Sequence, residues 1–192
     1  MTAIFAIVNR LLASNKISFI ITTLVVLCAT SSGSVVLSNG NYTWLLAALT
    51  PFFFVFYDFT KLIHLGASKK DYFAGCLISY GFLAFCISLV NTLIHLLIDP
   101  VYSAQTVINM MDVCKWTENG IIVAGLQQMF FLLLIMIFLH VLLTMQPHWY
   151  GWLTDTALVS IICIFTPISS LRGILSGFFQ IIMLNSNAVL HM

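Results

Sequence analysis

The run from Ile121 to Met145 constrains this chain most, because it carries no Asp, Glu, Lys or Arg side chain. A helix needs about 20 mostly apolar residues to cross the hydrocarbon core of a bilayer. The run is long enough, so it predicts a transmembrane helix. The whole chain has the same character: 61% of its residues are hydrophobic and 7% are charged, whereas soluble domains have roughly 25% charged residues. We therefore predict an all-α, polytopic integral membrane protein in a lipid bilayer.

Similar apolar segments recur along the chain and predict about six transmembrane helices in a single transmembrane domain, residues 1–192. The predicted spans cover residues 17–38, 42–57, 72–98, 121–145, 152–167 and 171–190. Before them, the apolar side chains of residues 1–16 recur at helical spacing, which predicts a helix along the membrane interface. The fifth span is marginal in length and the last apolar run is short. Two arrangements stay open for residues 168–192: a sixth crossing, or re-entrant helices on the outer side.

The few charges are distributed unevenly about the predicted spans. With the N-terminus inside and six crossings, the inner side holds five basic residues, Arg10, Lys16, Lys61, Lys69 and Lys70. The outer side holds two, Lys115 and Arg172. Because cytoplasmic segments carry an excess of Lys and Arg, this count predicts a multi-pass cell-membrane protein with a cytoplasmic N-terminus. The formal net charge of +1 offers no large basic field, so we exclude nucleic acid as a partner.

The sequence carries no signature of a cofactor, a metal or a redox centre. Its five cysteines include no C-x-x-C pair, which argues against a disulfide or redox function. Its five histidines show neither H-E-x-x-H nor a pair at i, i+4. The phosphate-binding loop G-x-x-x-x-G-K-[ST] is also absent, so the chain cannot bind a nucleotide by that loop. We expect no cofactor, no metal site and no catalytic residue.

The segment 58–71 gathers charged residues between the second and third predicted spans. Gly66 suits the C′ position of a helix, because glycine enters the left-handed region without a Cβ clash. Ser68 and Asp71 form the S-x-x-D version of a capping box before an apolar run. The order is helix end, tight turn and helix start, which predicts a short basic hairpin tip on the cytoplasmic side. Its candidate contact residues are Lys61, Gly66, Ser68, Lys69, Lys70, Asp71 and Tyr72.

Polar side chains inside the predicted spans are expensive to bury, so each needs a role. His140 lies near the inner end of the fourth span and Asp155 near the inner start of the fifth. The two can meet across the turn that joins these spans, and a structural hydrogen bond or ion pair is favoured over proton transport. Gln127 and Gln128 are the other polar pair at depth. At least one of them should face protein rather than lipid.

The run Leu65-Gly66-Ala67-Ser68-Lys69-Lys70-Asp71-Tyr72-Phe73 resembles the L-G-[small]-S-[RK]-[RK]-x-[aromatic]-F turn of small bacterial ABC-2-type transporter permeases. The likeness extends to the interfacial N-terminal helix, the six-span count and the missing nucleotide loop. It implies a permease subunit of an ATP-driven, type V exporter-like transporter, in which two permease copies or homologous permeases pair with two separate ATPase subunits. It also implies that the turn at 58–72 seats in a groove on the ATPase. ATP hydrolysis then resides in the partner, and this chain is not an enzyme.

A wall of Phe, Leu, Ile and Met with few charges suits an amphipathic peptide or lipid-like substrate better than a sugar or an ion. Two other hypotheses stay open. The chain is a stand-alone membrane immunity or interaction protein that sequesters a membrane-active peptide, or it is an intramembrane enzyme that uses His140 and Asp155. Co-purification of a nucleotide-binding protein distinguishes the permease from the immunity protein.

Overall fold

The computed structural model describes residues 2–28, 35–102 and 106–182, which are mostly helical, as the sequence predicts. The α-helices are α1 Thr2–Ser14, α2 Lys16–Cys28, α3 Asn39–Phe52, α4 Phe59–His64, α5 Lys69–Leu97, α6 Met110–Val113, α7 Ile121–Met145, α8 Trp149–Phe165 and α9 Ser169–Ile182. A π-helix covers Phe53–Asp58, and 3-10 helices cover Asp99–Tyr102 and Trp116–Asn119. Strands β1 and β2 cover Val35–Leu37 and Thr106–Ile108.

Within the described part of the chain, three helical segments are long and apolar enough to cross a membrane: Asn39–His64, Lys69–Val101 and Ile121–Met145. The count rises to four if α1 and α2 form one span, although this pair is bent by 49°. The chain is therefore a membrane protein, but six crossings are not confirmed. The number of crossings is lower than predicted partly because α8 and α9 are short. They have 17 and 14 residues, whereas a crossing needs about 20.

The predicted third and fourth spans, residues 72–98 and 121–145, correspond closely to α5 and α7. These two runs are apolar nearly throughout, and in hydrocarbon a helix satisfies its own backbone hydrogen-bonding groups. α7 has the predicted bounds, whereas α5 begins three residues earlier, at Lys69. The earlier start follows from the cap that Ser68 provides.

The second predicted span, residues 42–57, is part of a longer helical segment that ends at His64. Pro51 lies inside this segment and disturbs its hydrogen bonding, because proline has no N–H and clashes with the carbonyl four residues earlier. Two residues after it the chain widens into the π-helix. The charged segment predicted at 58–71 is therefore largely helical. Only residues 65–68, which we call the 65–68 turn, lie between α4 and α5.

The first predicted span, residues 17–38, does not stay helical to its end. α2 ends at Cys28, residues 29–34 lie outside the described part of the chain, and β1 follows. β1 pairs in parallel with β2, so that Val36 lies opposite Val107. β-branched side chains favour such extended pairing. We call this end of the molecule the ribbon end, and the end that carries the 65–68 turn the turn end.

Buried side chains from α3, α5 and α7 form the core of the bundle. The larger cluster includes Phe54, Tyr80 and Leu132, and a second cluster nearer the ribbon end includes Trp116 and Phe131. α1 contributes as well, because it packs along α5 and buries Ile7 and Leu11. The N-terminal residues are thus helical, as the spacing of their apolar side chains predicts, and their apolar face is partly covered by protein, since Phe5 remains 75% exposed.

α8 and α9 lie at the edge of the bundle and bury few residues. α8 contacts α7 and α9, and Gly151 is its buried residue. Large apolar side chains such as Val159 and Ile174 are exposed, which suits a surface in contact with lipid. The predicted last span, residues 171–190, corresponds in part to α9, and residues 183–192 lie outside the described part of the chain.

Candidate functional site

The 65–68 turn begins where α4 is closed by a regular hydrogen-bond pattern. Gly66 has a φ of 88°, in the left-handed region that glycine enters without strain. The Gly66 N–H donates to the Ile63 carbonyl at 3.0 Å. The Ala67 N–H donates to the Leu62 carbonyl, also at 3.0 Å. Together these bonds form the Schellman motif, and the predicted helix end at Gly66 is confirmed.

Ser68 closes the other side of the turn by capping α5. Its Oγ accepts a hydrogen bond from the Asp71 N–H at 3.1 Å and donates one to Asp71 Oδ2 at 2.8 Å. The predicted S-x-x-D cap is confirmed, with the difference that the Asp71 carboxylate bonds to the Ser68 hydroxyl instead of its backbone N–H. Because both helix ends are closed by hydrogen bonds, the turn is fixed to α4 and α5.

The predicted contact residues around this turn are mostly exposed. Lys61, Lys69 and Lys70 are exposed, as are Gly66 and Ser68. A Cβ added to Gly66 would meet no atom within 4 Å, so the backbone itself is open to a partner. We call these five residues the turn surface.

Of the remaining predicted contact residues, Asp71 is half-buried, and only 2% of Tyr72 is exposed. Its hydroxyl donates to the Phe54 carbonyl at 3.0 Å, and its ring lies 5.1 Å from the Phe59 ring between centroids. Tyr72 therefore cannot form part of a docking surface in this conformation. It anchors the first turn of α5 to the π-helix, and thereby positions the turn surface.

Asp58 is buried, although its place among the charged residues of the sequence predicts a surface position. Only 2% of it is exposed. Its Oδ1 accepts a hydrogen bond from the Ser14 hydroxyl at 2.9 Å, and its Oδ2 accepts one from Asn15 Nδ2. We call these three residues the Asp58 clasp. It joins the bend between α1 and α2 to the end of the π-helix, six residues before α4 ends at His64.

His140 and Asp155, the predicted polar pair, have separate partners in the structure. His140 is 2% exposed, and its Nδ1 lies 2.7 Å from the Tyr80 hydroxyl oxygen on α5. Asp155 instead accepts a hydrogen bond from Gln146 Nε2 in the turn before α8. The two side chains have separate partners because they point in different directions. His140 faces the core between α5 and α7, whereas Asp155 lies on α8, which leaves the bundle. Their arrangement offers no acid–base pair.

The ribbon end is held by a buried polar network that the sequence did not indicate. Asn109 Nδ2 donates to Ser38 Oγ at 3.2 Å, Asn91 Oδ1 at 3.3 Å and Asp99 Oδ2 at 3.1 Å. The Ser38 hydroxyl also donates to Asp99 Oδ1 at 2.8 Å. We call these four residues the ribbon-end network. Ser38 and Asn109 follow the two strands directly, so strand pairing is the signal that could have found them.

Neither the ribbon-end network nor any other part of residues 2–28, 35–102 and 106–182 gathers three His, Cys, Asp or Glu side chains that could hold a metal ion. His95 comes nearest, with Nδ1 3.3 Å from Asp99 Oδ2 and Nε2 3.7 Å from Asp112 Oδ1. These contacts tie α5 to the segment that follows it. The ribbon end of the molecule therefore carries buried hydrogen bonds that hold the fold together, and the turn end carries an exposed turn that is fixed by hydrogen bonds.

Comparison of the chain with protein-family models, with curated proteins and with solved structures finds no match. The resemblance of the turn to that of ABC-2-type permeases thus rests on the residues of the turn and their position between two long apolar helices.

Proposed function

We propose that the chain is the membrane-spanning subunit of an ATP-driven exporter and that the turn surface docks on a separate ATPase subunit. The observation that supports this most is the 65–68 turn. It is exposed, it is flanked by the exposed side chains of Lys61, Lys69 and Lys70, and it is closed by hydrogen bonds at both ends, between helical segments that run on to Asn39 and Val101. When a partner displaces such a turn, both helices move with it, because the hydrogen bonds at its two ends prevent the turn from changing conformation independently of the helices.

The transmission continues into the N-terminal helices through the Asp58 clasp. When the ATPase pair closes on nucleotide, the turn surface moves with it, and α4 carries the movement to Asp58. The Ser14 and Asn15 hydrogen bonds then pass it to the bend between α1 and α2. Tyr72 holds the start of α5 to the Phe54 carbonyl, so that α5 moves together with the π-helix. The chain acts as a lever and as one wall of a pathway between two copies.

The proposed substrate is an amphipathic peptide or a lipid-like molecule. The outward faces of the long helices carry large apolar side chains, among them Phe82, Phe85 and Leu134. Charged side chains are absent from the described residues of α7. A pathway between such walls solvates apolar groups, whereas a sugar or an ion needs polar partners.

We propose further that the turn end faces the cytoplasm. The Asp58 clasp brings the N-terminal bend, with Arg10 and Lys16 close to it in sequence, to the same end as the three lysines of the turn. Positive charge then accumulates at one end, as the cytoplasmic side requires. Cysteines introduced at Ala67 and Glu118 test this with an impermeant maleimide on intact cells. We expect labelling at Glu118 and protection at Ala67, and the reverse pattern contradicts the orientation.

Docking is tested by charge reversal at the turn surface. Affinity-tagged chain is purified in mild detergent from its native host, and Mg-ATP hydrolysis in the eluate is measured. Wild-type chain should bring down an ATPase. The double variant Lys69→Glu/Lys70→Glu should lose it, because like charges across a contact are repulsive. The matched control is Lys115→Glu, which reverses an exposed lysine at the ribbon end and should retain the ATPase.

Two results contradict the docking role. One is recovery of the ATPase at wild-type yield with the double variant, measured on protein that keeps its orientation. The other is a wild-type chain that brings down no nucleotide-binding protein. If that same chain alone makes cells resistant to a membrane-active peptide, it is an immunity protein instead.

A further inference from the structure

Gln127 and Gln128 are adjacent on α7, and both are completely buried, with 0% exposure each. Neither Nε2 nor Oε1 of either side chain has a hydrogen-bond partner among residues 2–28, 35–102 and 106–182. Consecutive residues on a helix point about 100° apart, since a turn contains about 3.6 residues. Other parts of the protein therefore surround α7 on at least two sides at the level of Gln127 and Gln128. Both amides point into this surrounding protein without a hydrogen-bond partner in the part of the chain that the structure describes.

Further unpaired donors lie in the same part of the core. Trp44 Nε1 on α3 is buried and has no hydrogen-bond partner. The Trp44 ring lies 5.4 Å from the Phe131 ring and 6.2 Å from the Trp116 ring between centroids. Phe131 follows the two glutamines by about one helical turn. Asn91 Nδ2, at the edge of the ribbon-end network, is a further buried donor without a partner.

Such a concentration of unpaired groups is unfavourable in a dry core. More than about 90% of buried polar groups in proteins have a partner, and an amide moved into apolar surroundings without one costs roughly 2–7 kcal/mol. The neighbouring rings of Phe131 and Trp116 supply no hydrogen-bond acceptor. Lipid head groups and a second protein chain cannot reach side chains that have no exposed surface. With no partner among the described residues, a small molecule inside the bundle fits these groups best.

We propose that Gln127, Gln128 and Trp44 line an internal hydrated site, in which bound water completes the hydrogen bonds of the two amides and the indole. The chemistry of the lining fits water: amides offer both donors and acceptors, the indole offers a donor, and none of them carries a charge. Buried water in proteins typically makes about three hydrogen bonds to groups that otherwise lack a partner. The proposal does not depend on what the chain transports or on whether it binds an ATPase.

Radiolytic hydroxyl-radical footprinting tests the site on the full chain in detergent. Radicals form from water where it is bound, so they modify side chains beside an internal site even though bulk water does not reach them. Phe131, 7% exposed, lies beside the proposed site. Phe54, 0% exposed, belongs to the other cluster and is the matched control of the same residue type. We expect Phe131 to be modified faster than Phe54.

The double variant Gln127→Leu/Gln128→Leu removes the amides and replaces them with apolar side chains of similar volume. In this variant the modification of Phe131 should fall to the level of Phe54, whose own rate should not change. Phe131 is slightly more exposed than Phe54, so a faster Phe131 in the wild type supports the site only together with its fall in the variant, whereas the wild-type comparison alone can overturn the proposal if the double variant does not fold. Equal rates at Phe131 and Phe54 in the wild type overturn the proposal, as does an unchanged Phe131 rate in a folded double variant.

Discussion

The Ser14 hydroxyl donates a hydrogen bond to Asp58 Oδ1 at 2.9 Å across 44 residues of sequence. This bond and the one from Asn15 Nδ2 are what tie the N-terminal bend to the π-helix. The carboxylate is 2% exposed and meets two neutral donors. A buried carboxylate is tolerated only when hydrogen bonds replace its hydration, so the Asp58 clasp is an obligatory contact of the fold.

Removal of the Asp58 carboxylate should therefore weaken the fold. Asp58→Ala removes the acceptor of the Ser14 hydroxyl and leaves Asn15 Nδ2 with the Leu11 carbonyl as its remaining acceptor, and the loss of a hydrogen-bond partner in a buried group costs about 1–3 kcal/mol. We expect the thermal unfolding temperature in detergent to fall clearly. Glu118→Ala removes a carboxylate that is 58% exposed and should change it little. Equal unfolding temperatures for Asp58→Ala and wild type contradict the clasp.

The long helices could be predicted from the sequence because, in hydrocarbon, a chain has to satisfy its backbone hydrogen bonds within its own segment. An uncharged apolar run must form a helix, so α7 has the predicted bounds. The turn could be predicted for an equally local reason, since Gly66 and Ser68 each favour one backbone geometry. β1 and β2 could not be predicted, because three-residue strands acquire their stability from each other across a long separation in sequence.

Three features of the candidate site could not be predicted from the sequence, because they depend on the direction in which helical side chains point. Asp58 stands near the charged residues in sequence, yet its helical position turns it towards Asn15, which only the bend between α1 and α2 brings near. Tyr72 follows the turn directly, but its ring is directed inward to Phe59. His140 and Asp155 are close in sequence through a short connection, and the departure of α8 from the bundle separates their roles. Sequence proximity does not encode these directions.

Gly40 and Asn91 approach each other too closely for any side chain at position 40. A Cβ built on Gly40 would lie 1.5 Å from Asn91 Oδ1. Gly40→Ala should therefore displace Asn91 from Asn109, and overpacking of this kind costs about 1–3 kcal/mol. The double variant Gly40→Ala/Asn91→Ala relieves the overlap. We expect the second change to recover part of the lost thermal stability, and an additive loss contradicts the close approach.

Cys114 should be unreactive until the chain unfolds. The thiol is buried beside Trp116 in the second core cluster, and burial raises its pKa from about 9 to about 11. Only the thiolate reacts with maleimide, so labelling at pH 8 should be slow in the folded protein and fast in denaturant. The raised pKa means that the folded state holds the proton more tightly, so stability should fall as pH rises from about 9 to about 11.

A cysteine introduced at Glu118 supplies the control for this labelling. Its side chain is exposed, so a folded Glu118→Cys variant should react at pH 8 at that site. Mass spectrometry of the peptides assigns the label. Fast modification of Cys114 in the folded protein contradicts its burial.

Valine variants at Gly66 and Gly120 can distinguish the effect of backbone strain on stability from an effect on docking. Their φ angles are 88° and 93°, and a Cβ at either position would meet no atom within 4 Å. Valine at either site therefore costs only backbone strain, about 1–2 kcal/mol, since a β-branched side chain is disfavoured in the left-handed region. Gly66→Val and Gly120→Val should lower the unfolding temperature to a similar extent and should both insert in the membrane.

The two variants should differ in the ATPase that they bring down. Gly66→Val distorts the 65–68 turn and tilts the start of α5, so the turn surface no longer matches its partner. Gly120→Val distorts a turn at the ribbon end, before α7, and leaves that surface intact. We expect Mg-ATP hydrolysis in the eluate to fall for Gly66→Val and to stay near wild type for Gly120→Val. Equal hydrolysis in both eluates means that the shape of the turn plays no part in docking, because both variants strain the backbone and only Gly66→Val strains it at the turn surface.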